Sequence, residues 1–157
     1  MVISGQVIDS VDVELVRLLA KNSRMSIREL ARELGLSPST VHARLKRLTE
    51  IGLIKRFTVV PDYERLGFTI TAIILLQVEG GMIVNVGEVV SRNPRVIQVY
   101  DITGDYDLAI IAKFKNINEL DSFLKTINRM PYVKRSVTSL SLRVIKEDFT
   151  EPLVTEE

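Results

Sequence analysis

The chain has 157 residues, with 21 Lys+Arg against 20 Asp+Glu, a single histidine and no cysteine. That length has room for two small domains, and a cysteine-free chain offers neither a disulfide framework nor a thiolate metal site, which fits a cytoplasmic setting. No apolar run reaches membrane-spanning length, no basic region followed by an apolar core marks a secretory signal, and His42 cannot build a metal site alone.

Residues 1–8 read as a loosely held arm. Asp9 and Asp12 then stand as N-cap and third position of a first helix, whose apolar side is Val11, Leu15, Leu18 and Leu19. Ser26 and Glu29 form an S-x-x-E capping box ahead of a stripe at Ile27, Leu30, Ala31 and Leu34. Gly35 stops that helix, because a residue tolerant of positive φ turns the chain cheaply there. Ser37 caps a further helix with Pro38 at its first position, where a missing N–H costs nothing. Val41, Leu45 and Leu48 continue at i, i+4, i+7. Two short helices joined by so brief a turn cross steeply, which frees one face of the second for a DNA major groove.

At 100° per residue, Val41, Leu45 and Leu48 point inward, and Ser39, Ala43 and Lys46 point away from them. Thr40, His42 and Arg47 flank that outward stripe. With Ser37 at the helix start and Arg44, these are the candidate DNA-binding residues. Small and hydroxyl side chains permit close approach, the Ala43 methyl suits thymine, and the cations suit phosphate or guanine. The plainer reading is a helical hairpin with a solvated charged face. Charge placement argues for DNA: up to Val60 there are 10 Lys+Arg against 6 Asp+Glu, and beyond it 11 against 14, so the two parts carry +4 and −3.

After Gly52, Leu53 to Val60 turns extended in character and is expected to form the wing of a winged helix. Lys55 and Arg56 at its start either reach phosphates or are ordinary solvated residues. Residues 61–68 read as a linker, so the expected domains are 1–60, which binds DNA, and 69–157.

The second domain has another rhythm. Ile70 to Val78 is a strand apolar on both faces at its centre, with Ala72, Ile74 and Leu76 on one side and Ile73 and Leu75 on the other. Gly81 to Ser91 has helical spacing at Met82, Val86, Val89 and Val90. Val96 to Thr103 and Leu108 to Phe114 are extended around a turn at 104–107. Leu120, Phe123, Leu124 and Ile127 mark a helix ending before Pro131, and Val133 to Ile145 alternates as a last strand. The order β-α-β-β-α-β describes a ferredoxin-like split sheet with both helices on one face. Strand 70–78 is apolar on two faces, and a second copy of the sheet is the simplest cover for the other, so a homodimer is expected. The fold class is α+β.

This arrangement resembles the Lrp/AsnC family, the feast/famine transcription regulators of bacteria and archaea, in its archaeal type. The residues that carry the resemblance are Asp9–Ser10–Val11–Asp12, Asn22–Ser23–Arg24–Met25–Ser26, Glu29–Leu30–Ala31, Gly35–Leu36–Ser37, Arg44, Arg47–Leu48 and Gly52–Leu53–Ile54. In the second domain they are Gly67 and Thr103–Gly104–Asp105–Tyr106–Asp107. The match spans nearly the whole chain. Lys55–Arg56–Phe57 departs from it, because many members place a Gly before an aromatic residue there.

The resemblance implies a RAM/ACT-like second domain that dimerises, assembles further to tetramers or octamers, and senses free amino acids between dimers, with no other cofactor. It implies effector contacts at Tyr100 and at Gly104, Asp105, Tyr106 and Asp107, with Ser136, Thr138 and Ser139 as neighbours. Asp105 and Asp107 can pair with an α-ammonium, and the turn N–H groups and hydroxyls with an α-carboxylate. Read without the resemblance, the same T-G-D-Y-D is a tight hairpin turn whose aspartates bond the local backbone. The function expected is a DNA-binding regulator of amino-acid metabolism genes acting on a palindromic operator. Its rivals are an architectural DNA protein without effector and a regulatory subunit of a biosynthetic enzyme. The sequence shows no nucleophile–base pair, metal cluster or phosphate loop, so it reads as a non-enzyme.

Overall fold

The computed structural model describes residues 2–3 and 6–154 of the chain. They form two compact units, one from the stretch ending at Val60 together with the stretch beginning at Glu147, the other from Pro61 to Lys146. No helix among the described residues is long and apolar enough to cross a membrane.

The first unit opens with two short strands, β1 (Val2–Ile3) and β2 (Gln6–Val7), paired antiparallel. Ile8 follows them into the core at 5% exposure. The expected loose arm is therefore partly tied down; Met1, Ser4 and Gly5 lie outside the described residues. Helix α1 (Ser10–Lys21) starts at Asp9, whose side chain accepts from the Asp12 N–H while the Asp12 carboxylate accepts from Asp9 N–H. Helix α2 (Ile27–Leu34) has the same reciprocal box between Ser26 and Glu29, and Gly35 closes it at φ 63°. Helix α3 (Pro38–Glu50) begins under Ser37, whose hydroxyl accepts from Thr40 N–H, with Pro38 in the first turn. Leu15, Leu30, Ala31, Val41, Leu48 and Ile54 interlock as the shared core.

The stretch 53–60 does not form the expected wing strand. Ile54 is buried, but Phe57, Val59 and Val60 are 58%, 80% and 81% exposed, and no strand is present there. A strand requires a ladder partner, and β-forming composition alone does not supply one.

The second unit is a four-stranded antiparallel sheet ordered β4-β5-β3-β6, from β3 (Ile70–Val78), β4 (Val96–Asp101), β5 (Leu108–Phe114) and β6 (Val133–Leu140). Helices α4 (Ile83–Ser91) and α5 (Ile117–Asn128) cover one face. Ala72, Ile74, Leu76 and Val78 of β3 lie beneath them with Leu108, Ile110, Ala112 and Phe114, and Phe114 meets Phe123 of α5 at 5.3 Å between ring centroids. The last strand ends at Leu140, five residues before the expected Ile145. Leu140 is already opposite Ala72 and Ser141 N–H donates to Thr71 O, so only Ile70 of β3 lies beyond that bond, too little to pair with the rest of the expected strand.

The stretch from Glu147 groups with the first unit. Its short helix α6 (Glu151–Val154) packs on α1, where Arg17 Nε donates to Leu153 O at 3.0 Å.

Candidate nucleic-acid interface and effector turn

Helix α3 sorts its side chains as the 3.6-residue period demands. Val41 and Leu48 are buried, whereas Ser39, Thr40, His42, Ala43 and Lys46 are exposed. Ser37 is committed to the start of the helix, its hydroxyl lying 2.9 Å from Ser39 Oγ and 2.7 Å from Thr40 Oγ1. Lys46 has only a loose partner, Glu50 at 3.9 Å, one turn on. A pair so exposed is worth little and yields readily to a phosphate.

Arg44 and Arg47, expected among the DNA-binding residues, turn back onto α1. Arg44 Nη1 donates to both Asp9 oxygens, at 2.9 and 2.8 Å, and to Asp12 Oδ1 at 2.7 Å. Arg47 Nη2 donates to Asp12 Oδ2, and its Nη1 to Val7 O at 3.1 Å. Asp12 has no exposed surface at all. Sequence reasoning saw Asp9 and Asp12 as caps and missed their second task. The signal was available: an acidic pair at i, i+3 on α1 answers a cationic pair at i, i+3 on α3.

The turn 104–107 joins β4 to β5. Gly104 adopts φ 115°, a conformation closed to other residues, and a Cβ there would meet nothing within 4 Å. Backbone conformation thus requires this glycine. Asp107 Oδ2 accepts from Val78 N–H at 2.7 Å, while its own N–H donates to Leu76 O and its carbonyl accepts from Ile102 N–H, both at 2.9 Å. One oxygen of that carboxylate is therefore closing the end of β3. Asp105 is exposed, and Tyr106 is half-buried with the Arg135 guanidinium 6.0 Å from its ring centroid.

Register places the remaining effector candidates apart. Tyr100 is opposite Ala109, which is opposite Leu75, so Tyr100 lies on the sheet face away from the helices; Ser139, opposite Ile73, shares that face. Ser136 and Thr138 are opposite Leu76 and Ile74 on the helix-covered face, and Ser136 Oγ is 2.7 Å from Asn128 Oδ1. β4 and β6 are the two edge strands, about 14 Å apart at normal strand spacing. One chain does not bring Tyr100 and Ser139 together.

Comparisons with known proteins agree with this fold. Residues 71–150 match the Lrp/AsnC ligand binding domain and residues 8–55 a winged helix-turn-helix DNA-binding domain. An uncharacterized HTH-type transcriptional regulator of Pyrococcus abyssi is 38% identical over 142 residues, covering 90% of this chain and 97% of that one. The HTH-type transcriptional regulator FL11 of Pyrococcus furiosus is 36% identical over 147 residues, with 94% and 97% covered. Among solved structures, LrpC of B. subtilis superposes with a TM-score of 0.75 at 26% identity over 90% of this chain and 99% of its own. A Neisseria meningitidis transcriptional regulator solved in complex with L-Met shares the fold, with a TM-score of 0.80 at 24% identity over 92% and 96%. The chain belongs to the Lrp/AsnC family, in its archaeal type, and is a DNA-binding transcriptional regulator.

Proposed function

We propose that a homodimer of this chain, assembling further to a tetramer or octamer, binds an imperfect palindrome through α3 and adjusts that binding to a free amino acid held near the 104–107 turn. One observation carries the reading. Ser39, Thr40, His42, Ala43 and Lys46 form the exposed face of α3, while Arg44 and Arg47 are withdrawn to α1. Small side chains along this face permit close approach to base edges, and His42 and Lys46 supply the donors. On this reading Arg44 and Arg47 hold the helix rather than read sequence. The amino-acid part rests on the match to a ligand binding domain and on the exposed Asp105 beside the Gly104 turn. Because Tyr100 and Ser139 sit on opposite edge strands, an effector touching both takes them from different chains.

Selection of duplexes from a random pool by the full-length protein tests the DNA reading. An imperfect palindrome with half-sites one helical turn apart is expected. Lys46→Ala should cost about 1–3 kcal/mol on the selected duplex if Lys46 reads a base. A phosphate contact would instead weaken all sequences alike and lower the salt slope by about one. Recovery of no preferred sequence would favour the architectural alternative. Calorimetry with each of the twenty amino acids tests sensing: Asp105→Ala should abolish the heat of the one that binds and leave DNA affinity intact.

A further inference from the structure

We infer that Asp12 is the positioning residue of the DNA-reading helix, and that it also withholds two arginines from the DNA backbone. The inference rests on the reading of α3 as the helix that enters the groove. The Asp12 carboxylate is fully buried, with one oxygen held by Arg44 Nη1 at 2.7 Å and the other by Arg47 Nη2. The two guanidiniums leave α3 three residues apart, so they grip the one carboxylate from two points on the helix. Asp9 adds a second anchor through both its oxygens on Arg44. Arg47 reaches further, to Val7 O, and so ties the end of β2 into the same cluster.

Two anchors three residues apart set rotation as well as distance. If α3 turned or slid against α1, at least one arginine would leave, and a buried carboxylate would lose a partner it cannot replace with water. The angle at which Ser39, His42 and Ala43 meet a base edge is therefore set from α1. The same pairs consume the positive charge of both arginines. In their absence the guanidiniums stand on the DNA side of the unit, where each new phosphate contact adds about 0.9 to the salt slope.

Asp12→Asn keeps the shape and removes the charge. With the wild-type-selected duplex and a scrambled duplex of equal length as probes, the scrambled duplex should bind more tightly and with a slope steeper by up to about two. The ratio of the two affinities should fall about tenfold or more, comparable with the loss of one base pair's readout. Asp9→Asn, at an exposed position that leaves Asp12 in place, should move both quantities the same way but less, and serves if Asp12→Asn does not fold. Arg47→Lys, which keeps charge without the planar fork, should lose the ratio with little change of slope.

A purely structural role predicts something else: both duplexes lose affinity in proportion to the unfolded fraction seen by circular dichroism, and the slope stays put. That result, or an unchanged ratio in folded Asp12→Asn and Asp9→Asn, overturns the inference. If the wild-type protein selects no duplex, the DNA reading of α3 fails and the inference falls with it.

Discussion

At Asp12 opposing effects meet on one carboxyl group. Burial pushes its pKa up, but hydrogen bonds from Arg47, Arg44 and the Asp9 N–H prevail, and the group sits below its ordinary 3.8. Asp9 is lowered too, chiefly by its hydrogen bond from Arg44. A carboxyl depressed in the folded state contributes stability that is fully present above its unfolded pKa and is lost as pH falls through the folded value. The N-terminal unit should therefore hold its melting temperature down to about pH 5 and lose it steeply below about pH 4. Thermal melts across that range check it, and Asp12→Asn should flatten the fall, since it removes the titrating group. A fall of equal steepness in Asp12→Asn would show that other carboxyls drive it. Breaking the cluster from the other side is harsher. Arg47→Met leaves the buried Asp12 with one cation and should cost about 3 kcal/mol in chemical denaturation.

Between elements, single backbone positions carry the turns. Gly35 ends α2 at φ 63° with open space where a Cβ would go, so Gly35→Ala meets conformational strain alone. A loss of about 1–2 kcal/mol is expected by urea titration, with the denaturant slope unchanged. Helix α6 makes a smaller contribution. A chain ending at Thr150 loses the Arg17–Leu153 hydrogen bond, worth about 1 kcal/mol, and should melt about 2–4 °C lower. Much of this level was legible beforehand. Ser26, Glu29, Gly35, Ser37 and Pro38 are local signals whose physics is complete within four residues, and β3 and β5 keep their expected bounds because their apolar runs are long. What failed is whatever depends on a distant partner. Residues 53–60 have strand composition but no ladder, and β6 ends within two residues of the end of β3. Arg44 and Arg47 look like groove-facing cations until α1 is placed beside them, because helical period tells direction and not who waits there. The effector set divides for the same reason: Thr138 and Ser139 are neighbours in sequence and occupy opposite faces of the sheet.

At the scale of the molecule, the sheet has one face too many. The helices cover Ala72, Ile74 and Leu76, while Ile73 remains 40% exposed on the other side, in a row with Ile111, and Tyr100 is 49% exposed two strands from Leu75. A monomer gains nothing by keeping such residues there, since burying what remains exposed of each would add roughly 1 kcal/mol. A second copy of the same face satisfies the whole row at once by two-fold symmetry. Ile73→Glu should therefore convert the protein to a monomer, or to an insoluble product, in sedimentation at micromolar concentration. Val84→Glu is the matched control: Val84 is 66% exposed on the helix side and its replacement should leave assembly unaltered. Loss of the proposed dimer has a further consequence for DNA. On the proposed homodimer and palindrome, two α3 helices in one assembly make the second half-site an intramolecular target, and a monomer forfeits that effective concentration. Ile73→Glu, where it stays soluble, should bind a full palindrome no better than a half-site, while its affinity for the half-site matches the wild type. An Ile73→Glu variant that sediments as a dimer would place the partner on another surface and leave the open sheet face without a role in assembly.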